Sequence, residues 1–181
     1  MLNSDRLTVK ASDAIQGAAQ ESRRREHPQI EGVHLLHALL EQEEGIVVPI
    51  LQKLGTDPSL IRERILEALD ARARVTGGSD PTLARYLTRA LDVAEEEAKA
   101  LGDEYVSTEH LLLGLAEENG DAGRILQTAG ANREALREAL EGVRGSHRVT
   151  DQTPEDTYRC LLYTSPSPRD SLHNLVCRVL L

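Results

Sequence analysis

Three histidines are the side chains whose type and spacing could bind a metal. His34 and His37 lie three residues apart and would share one face of a helix. His110 is followed by Leu-Leu, as His34 is, so it repeats the same local sequence. A zinc site needs three or four converging ligands, and no cysteine lies near His34 and His37 along the chain. We therefore interpret the histidines as structural residues and predict no metal.

A second set of reactive side chains lies near the C-terminus. It consists of Cys160, Ser165, His173 and Cys177. No Gly-x-Ser-x-Gly turn surrounds the serine, and the two cysteines form neither a Cys-x-x-Cys pair nor a disulfide framework. The sequence therefore predicts no hydrolase with a converging nucleophile and base.

Nucleotide chemistry would need a glycine-rich phosphate loop with its lysine. The chain has three lysines, Lys10, Lys53 and Lys99, and none of them follows a glycine. The sequence therefore predicts that this chain binds no ATP through such a loop, holds no cofactor and is not itself an enzyme.

The composition excludes other classes of function. The 181 residues include four Tyr but no Phe and no Trp, and 30 Asp and Glu stand against 21 Lys and Arg. Modules that stack nucleic-acid bases on aromatic rings and attract phosphate with a basic face are therefore not expected. No apolar run is long enough for a membrane span, and no signal peptide is recognisable. These features favour a cytoplasmic protein with an aliphatic core.

The chain contains one unit twice. Ile30–Leu40 aligns with Val106–Ala116 at an offset of 76 residues, and further downstream the offset falls to 75. Residues of about 5–74 (copy one) and about 81–144 (copy two) are therefore predicted to be two repeats of one fold.

Four helices are predicted in each copy, because apolar residues recur at intervals of three or four. The first begins near Leu7 in copy one and near Leu83 in copy two. The second helix is predicted at His34–Glu41 in copy one and Thr108–Glu118 in copy two, and the third at Val47–Leu54 and Ala122–Ala129. Each third helix is followed by a glycine suited to left-handed backbone. Asp57-Pro58 and Asp80-Pro81 combine an N-cap carboxylate with a proline and predict further helix starts. Asn132 is the corresponding cap in copy two, and no β-strand is predicted.

Three segments closely resemble the N-terminal region of the ClpB family of AAA+ protein disaggregases. They are Asp5-Arg6-Leu7-Thr8, the sequence GDEYVSTEHLL at 102–112 and the sequence RVTDQTPEDTY at 148–158. The resemblance covers roughly residues 1–158 and includes the duplication. It implies an all-α fold in which two pseudo-symmetric four-helix Clp repeats pack into one domain over residues 1–144. It further implies a linker at 145–158 that leads toward an AAA+ ring absent from this chain.

The resemblance implies a function as well. Members of this family use the N-terminal domain to bind unfolded or aggregated polypeptide and deliver it to a hexameric ATPase ring. ATP and magnesium act in those absent modules, and a DnaK-type chaperone docks on a middle region that is absent too. An adaptor-docking domain of the ClpC and ClpA type, or a standalone Clp-repeat binding protein, remain alternatives.

Five residues are implied as substrate-binding positions. Thr8, Asp103 and Glu109 correspond to polar positions, while Leu91 and Leu111 correspond to apolar groove positions. The residues alone allow a structural interpretation, since a carboxylate in a first turn stabilises its helix and apolar stripes usually face the core. The seam between the two copies is where we expect a groove.

The end of the chain departs from the family pattern. Residues 159–181 change composition abruptly, and the string from Cys160 to Asp170 looks like translated sequencing-adapter read-through. Our hypothesis is that the natural gene is interrupted near residue 159 and that the tail is not biological. An uninterrupted genomic read through this tail would refute it.

Overall fold

The two predicted copies form two sets of four helices. The computed structural model describes residues 4–75, 80–144 and 147–154. A short 3-10 helix, Ser4–Arg6, comes first, and the eight α-helices of the described residues are α1 Val9–Arg24, α2 Gly32–Glu41, α3 Val47–Lys53, α4 Pro58–Asp70, α5 Arg85–Leu101, α6 Thr108–Ala116, α7 Asp121–Thr128 and α8 Arg133–Arg144. The all-α prediction is confirmed. No helix among these residues is long and apolar enough to cross a membrane.

Local signals in the sequence set most of these helix ends. Gly55 and Gly130 follow α3 and α7 with φ of 75° and 78°, the left-handed backbone that glycine adopts without strain. The Asp57 carboxylate accepts a hydrogen bond from the Ser59 N–H at 2.8 Å and caps α4. Asn132 caps α8 in the same way through the Ala135 N–H. These four predictions needed only neighbouring residues.

The helix start predicted at Asp80-Pro81 is wrong. The chain is extended at β2 (Thr82–Leu83) and α5 begins only at Arg85. The reason is a parallel pairing of β2 with β1 (Gln29–Ile30) of copy one. Two-residue strands are too short to leave an alternating pattern, so the sequence did not predict them.

The segment before the first helix of each copy, which we call its entry segment, pairs with the other copy. Leu83 of copy two pairs with Ile30 of copy one, and Leu7 of copy one pairs with Val106 of copy two. The two pairings are related by the offset of 76, since Leu7 corresponds to Leu83 and Ile30 to Val106. Each copy therefore completes backbone hydrogen bonds of the other, and the domain is one interlocked unit.

The core is aliphatic and centres on α2 and α6. All nine residues of α6 are buried, as are seven of the ten residues of α2. Helices that are buried on most sides must lie inside a fold, so the remaining helices surround this pair.

Residues 147–154, which we call the strap, lie against the domain, although their composition is typical of a linker. Val149 is fully buried, and its carbonyl accepts a hydrogen bond from the Glu104 N–H at 2.9 Å. Further along, the Gln152 carbonyl accepts from the Val9 N–H at 2.9 Å. These bonds to both copies hold a polar segment in place. The remainder of the predicted linker, the predicted tail at 159–181, and the reactive side chains Cys160, Ser165, His173 and Cys177 lie outside the described residues.

Candidate functional site

Two of the predicted polar positions lie together around a buried arginine. Asp103 follows α5 and Glu109 lies in the first turn of α6, and both are buried. The Arg144 guanidinium, in the last turn of α8, bonds to the Asp103 carboxylate and lies 4.0 Å from a Glu109 oxygen. Sequence reasoning missed Arg144 because a basic residue in a last turn is an ordinary helix-end signal.

The Asp103 carboxylate is also bonded on its other sides. His110 Nε2 donates to Oδ2 at 3.0 Å, and the Val149 N–H of the strap donates to Oδ1 at 2.8 Å. Burial raises the pKa of Asp103, but the bonds from His110, Arg144 and Val149 outweigh it and lower this pKa to about 2. Asp103 is therefore a charged internal anchor that ties together α5, α6, α8 and the strap.

Ser107, His110 and Asp103 are bonded in the order of a hydrolase triad. Ser107 Oγ lies 2.9 Å from His110 Nδ1, which also accepts the Ser107 N–H at 3.0 Å. Ser107 and His110 are fully buried, so no substrate carbonyl reaches the hydroxyl. The arrangement is a capping box that fixes the start of α6.

Copy one has a different pair at the same place. His34 corresponds to His110 and His27 to Asp103, and His34 Nε2 lies 2.8 Å from His27 Nδ1. His34 Nδ1 accepts the Glu31 N–H at 3.0 Å, so Nε2 carries the proton that His27 accepts. Burial lowers the pKa of His34 to about 4, aided by His27 and Arg72, and burial lowers the pKa of His27 as well. Both rings are therefore neutral at pH 7.

The histidines do not assemble a metal centre in the described part of the chain. No group of three His, Cys, Asp or Glu side chains that could hold an ion occurs there. His34 is bonded through both ring nitrogens, to His27 and to the backbone of Glu31, which agrees with the structural interpretation of this residue.

Thr8 is buried at the N-cap of α1. Its hydroxyl oxygen accepts a hydrogen bond from the Ala11 N–H at 3.2 Å, and its own N–H donates to the Val106 carbonyl at 3.0 Å. Val106 lies between Asp103 and Glu109 in the chain, so Thr8 joins their cluster through the backbone.

Leu91 and Leu111, the two implied groove positions, lie in the core. Leu91 on α5 is 8% exposed and Leu111 on α6 is 1% exposed. In this conformation both pack inside the domain, as the structural interpretation of their apolar stripes expected.

An exposed apolar groove lies elsewhere, at the seam between the copies. It runs between α4 of copy one and α7 of copy two and has a volume of about 680 Å³. Its apolar residues are Leu60, Ile61, Ala68, Ile125 and Ala129. Leu60 is 60% exposed, so its side chain is accessible to a bound segment beside the other apolar residues of the groove. This groove, which we call the α4–α7 groove, is the candidate binding site.

Charged side chains of both signs form the rim of the α4–α7 groove. Asp121 lies between two arginines, with its Oδ2 at 2.8 Å from Arg72 and its other oxygen bonded to Arg124. Arg64 and Glu67 stand on the α4 side. The apolar floor of such a groove binds apolar segments without strict sequence selection. The charged rim then favours those segments whose charges complement it.

Glu118 joins α2 of copy one to the start of α7 in copy two. This buried carboxylate accepts hydrogen bonds from the N–H groups of Gly32, in the first turn of α2, and Gly123, in the first turn of α7. A Cβ on Gly32 would lie 2.2 Å from a Glu118 oxygen, so only glycine leaves room for it. Burial, helped by the nearby carboxylates of Glu31 and Asp121, outweighs the two N–H groups and raises the pKa of Glu118 to about 7. Sequence reasoning missed Glu118 because nothing local to it predicts contact with α2.

Comparisons with known proteins agree with this architecture. The family described as the Clp repeat (R) N-terminal domain matches residues 6–129. Chaperone protein ClpB from Mycobacterium tuberculosis is 42% identical over 155 residues, which cover 85% of this chain and 18% of the relative. The chain therefore spans about a fifth of the length of the curated relatives it matches.

Solved structures share the fold. The N-terminal domain of Hsp104 from Candida albicans superposes with a TM-score of 0.74 at 18% identity and covers 82% of this chain and 98% of that domain. A ClpV N-domain solved in complex with a VipB peptide gives a TM-score of 0.61 at 19% identity, with coverage of 76% and 86%.

Proposed function

Because this chain belongs to the Clp repeat (R) N-terminal domain family, we propose that it binds unfolded or aggregated polypeptide as the N-terminal module of an ATP-dependent protein disaggregase. The open, aliphatic α4–α7 groove is the observation that carries the proposal. A groove of this kind binds any exposed apolar segment, because the hydrophobic effect has no directional requirement.

Binding by this module is weak and gains strength from repetition. A flexible segment loses conformational entropy when it is ordered in a groove, and this loss offsets much of the gain from burial. Several copies presented on one ring restore the affinity through multivalency. Weak, unselective contacts suit a domain that must also release its substrate.

The five residues implied by the resemblance have a supporting role in this proposal. Thr8, Asp103 and Glu109 hold the start of α1 and α6, the end of α8 and the strap, while Leu91 and Leu111 pack α5 against α6. Substrate contact falls to the α4–α7 groove in the conformation described, and the five residues stabilise neighbouring helices, of which α6 packs on α7.

The remaining properties are those of the whole protein. We propose that a hexameric AAA+ ring binds ATP and magnesium in modules beyond this chain, that a DnaK-type chaperone cooperates through another region, and that the protein works in the cytoplasm. The ClpB relatives, of which this chain spans 18%, support this assignment.

The test uses reduced, carboxymethylated α-lactalbumin, which is permanently unfolded, titrated into the intact chain by NMR. We expect chemical-shift changes at the α4–α7 groove. Leu60→Asp should weaken binding about tenfold or more, since it removes an exposed leucine side chain that the bound segment would cover and adds a charge. Leu66→Asp is the matched control, because Leu66 is also exposed on α4 but lies outside the groove.

Two results would contradict the proposal. One is the absence of any shift change with the unfolded protein. The other is equal binding by Leu60→Asp and Leu66→Asp at the same thermal stability, which would move the site away from the groove. A stoichiometric complex with one folded protein, and none with unfolded chains, would favour the adaptor-docking alternative.

A further inference from the structure

The α4–α7 groove has a counterpart within the same molecule. The pseudo-symmetry that relates the copies also relates the α4–α7 seam to the seam between α8 and α3. At the offset of 75, Thr128 of α7 corresponds to Lys53 of α3, and Glu67 of α4 corresponds to Gly142 of α8. The second seam therefore indicates how the space of the first can be filled.

A lysine occupies the counterpart seam. The Lys53 side chain crosses from α3 onto α8 at Gly142, where an added Cβ would lie 2.2 Å from Nζ and 2.8 Å from Cε. The absence of a side chain at position 142 makes this crossing possible, and the aliphatic stem of lysine covers apolar surface while its ammonium remains in water.

At the α4–α7 seam the corresponding lysine is missing and the corresponding glycine is a carboxylate. Thr128 is short, and its hydroxyl donates to the Arg124 carbonyl of its own helix at 2.7 Å. Glu67 is exposed at the rim, and within the described residues no ion pair includes it. The groove is therefore open at the place where Lys53 lies in the counterpart, with a negative charge at the end of that path.

We propose that the α4–α7 groove prefers polypeptide segments in which a lysine accompanies an aliphatic side chain. The aliphatic side chain packs on Leu60 and Ile125, and the lysine lies along the path between Thr128 and Glu67 with its ammonium at the Glu67 carboxylate. This inference rests on the proposed function and adds the class of segment that the groove selects.

Two arginines at the rim of the groove act against this preference for lysine, because both are cationic. Arg124 is already paired with Asp121, so its charge is largely satisfied. Arg64 stands one turn from Glu67 on α4 and would attract an acidic segment. A peptide with glutamate in place of lysine is therefore the competitor that tests the assignment.

The experiment measures fluorescence anisotropy of short fluorescein-labelled peptides built from Ala, Ser and Leu, with Lys, norleucine or Glu at one central position. With the intact chain we expect the lysine peptide to bind about threefold more tightly than the norleucine peptide and about fivefold more tightly than the glutamate peptide, as exposed ion pairs allow. Glu67→Lys should reverse the order of the lysine and glutamate peptides. Glu63→Lys makes the same charge change at an exposed position of α4 outside the groove and should leave the order intact.

A second variant tests the internal counterpart directly. Thr128→Lys places a lysine where copy one has Lys53, so it should occupy the groove from within and weaken the lysine peptide about threefold. Equal affinities of the three peptides, all lost in Leu60→Asp, would overturn the lysine preference and leave the proposed function standing. Affinities that Leu60→Asp does not change would overturn both.

Discussion

The two copies place different chemistry on the same backbone. Copy one pairs two neutral histidines, His27 and His34, and copy two pairs an aspartate with a histidine, Asp103 and His110. In both copies the second histidine accepts the N–H of its helix's N-cap residue, Glu31 or Ser107, at 3.0 Å. The backbone geometry of the repeat therefore tolerates either pair, and the surrounding charges decide which one is stable.

Those charges differ between the copies. In copy two the Arg144 guanidinium and the strap stabilise an anion at position 103. In copy one, burial and the nearby positive charges of Arg72, Arg25 and Arg74 disfavour a proton on His27. A buried charge is stable only when it is paired and hydrogen-bonded, which copy two achieves with the segment that follows its last helix.

Removal of the Asp103 charge should have the largest effect on the stability of the chain. Asp103→Asn removes the charge of the carboxylate closest to the buried Arg144 and leaves only Glu109, 4.0 Å away, to face it, so we expect a loss of about 3–5 kcal/mol in the free energy of unfolding. Urea unfolding measures this loss, with Asp13→Asn on the exposed face of α1 as a control that should stay within about 0.5 kcal/mol. A loss as small as that of the control would show that the cluster around Arg144 contributes little.

The second prediction concerns Glu118, whose counterpart at the offset of 76 is the neutral Gln42. The pKa of Glu118 is about 7 in the folded chain and 4.5 as the ordinary value, so between these values the folded state binds more protons than the unfolded state. Stability contributed by this group therefore falls as pH rises from 4.5 to 7. Glu118→Gln, which makes copy two resemble copy one, should be about 2–3 kcal/mol more stable than the parent at pH 8 and equal to it below pH 4.5.

The His27–His34 pair changes the stability in the opposite direction over nearly the same pH range. The pKa of His34 is about 4 when folded and 6.5 as the ordinary value, so its contribution is lost as pH falls from 6.5 to 4. The two effects offset each other in the parent, and Glu118→Gln should reveal a stability that rises with pH up to 6.5. Urea unfolding at several pH values measures both profiles, and Glu117→Gln is the exposed neighbouring control. Parallel profiles for Glu118→Gln and the parent would contradict the prediction.

The smallest effect is expected from substitutions of the residue that turns the chain after the first helix of each copy. Glu26 has φ of 58° and its counterpart Gly102 has φ of 73°, so copy one holds a side chain in left-handed backbone where copy two holds none. Glu26→Gly should stabilise the chain by about 0.5–1 kcal/mol, and Gly102→Ala should destabilise it by about the same amount. Thermal unfolding measures both, and opposite signs are required; two changes of the same sign would mean that side-chain contacts, not backbone strain, govern these turns.

The helices could be predicted because their signals are local, and the duplication because the two copies keep similar sequences at a nearly constant offset. Periodic leucines, the glycines after α3 and α7, and the caps at Asp57 and Asn132 each act over a few residues. Asp80-Pro81 carries the same local signal as Asp57-Pro58, yet the chain there pairs with β1 instead, since a backbone bond to the other copy outweighed a capping preference.

The site depended on contacts between distant residues, which one sequence does not reveal. Arg144 meets Asp103 across 41 residues, and the α4–α7 groove joins helices from different copies. Leu91 and Leu111 belong to apolar stripes that suit a core and a groove equally well. Only the packing of α5 on α6 decides between these possibilities, and it buries both.

The exchange of entry segments has a consequence for synthesis. A chain made from its N-terminus presents the segment before α1 first, but the partner of Leu7 is Val106, ninety-nine residues later, and Val9 bonds to Gln152 in the strap. Copy one cannot close its own edge while it emerges from the ribosome, so its start stays open until nearly the whole domain has been translated. Contacts this distant also slow the search for the native state, because a long loop must close before they form.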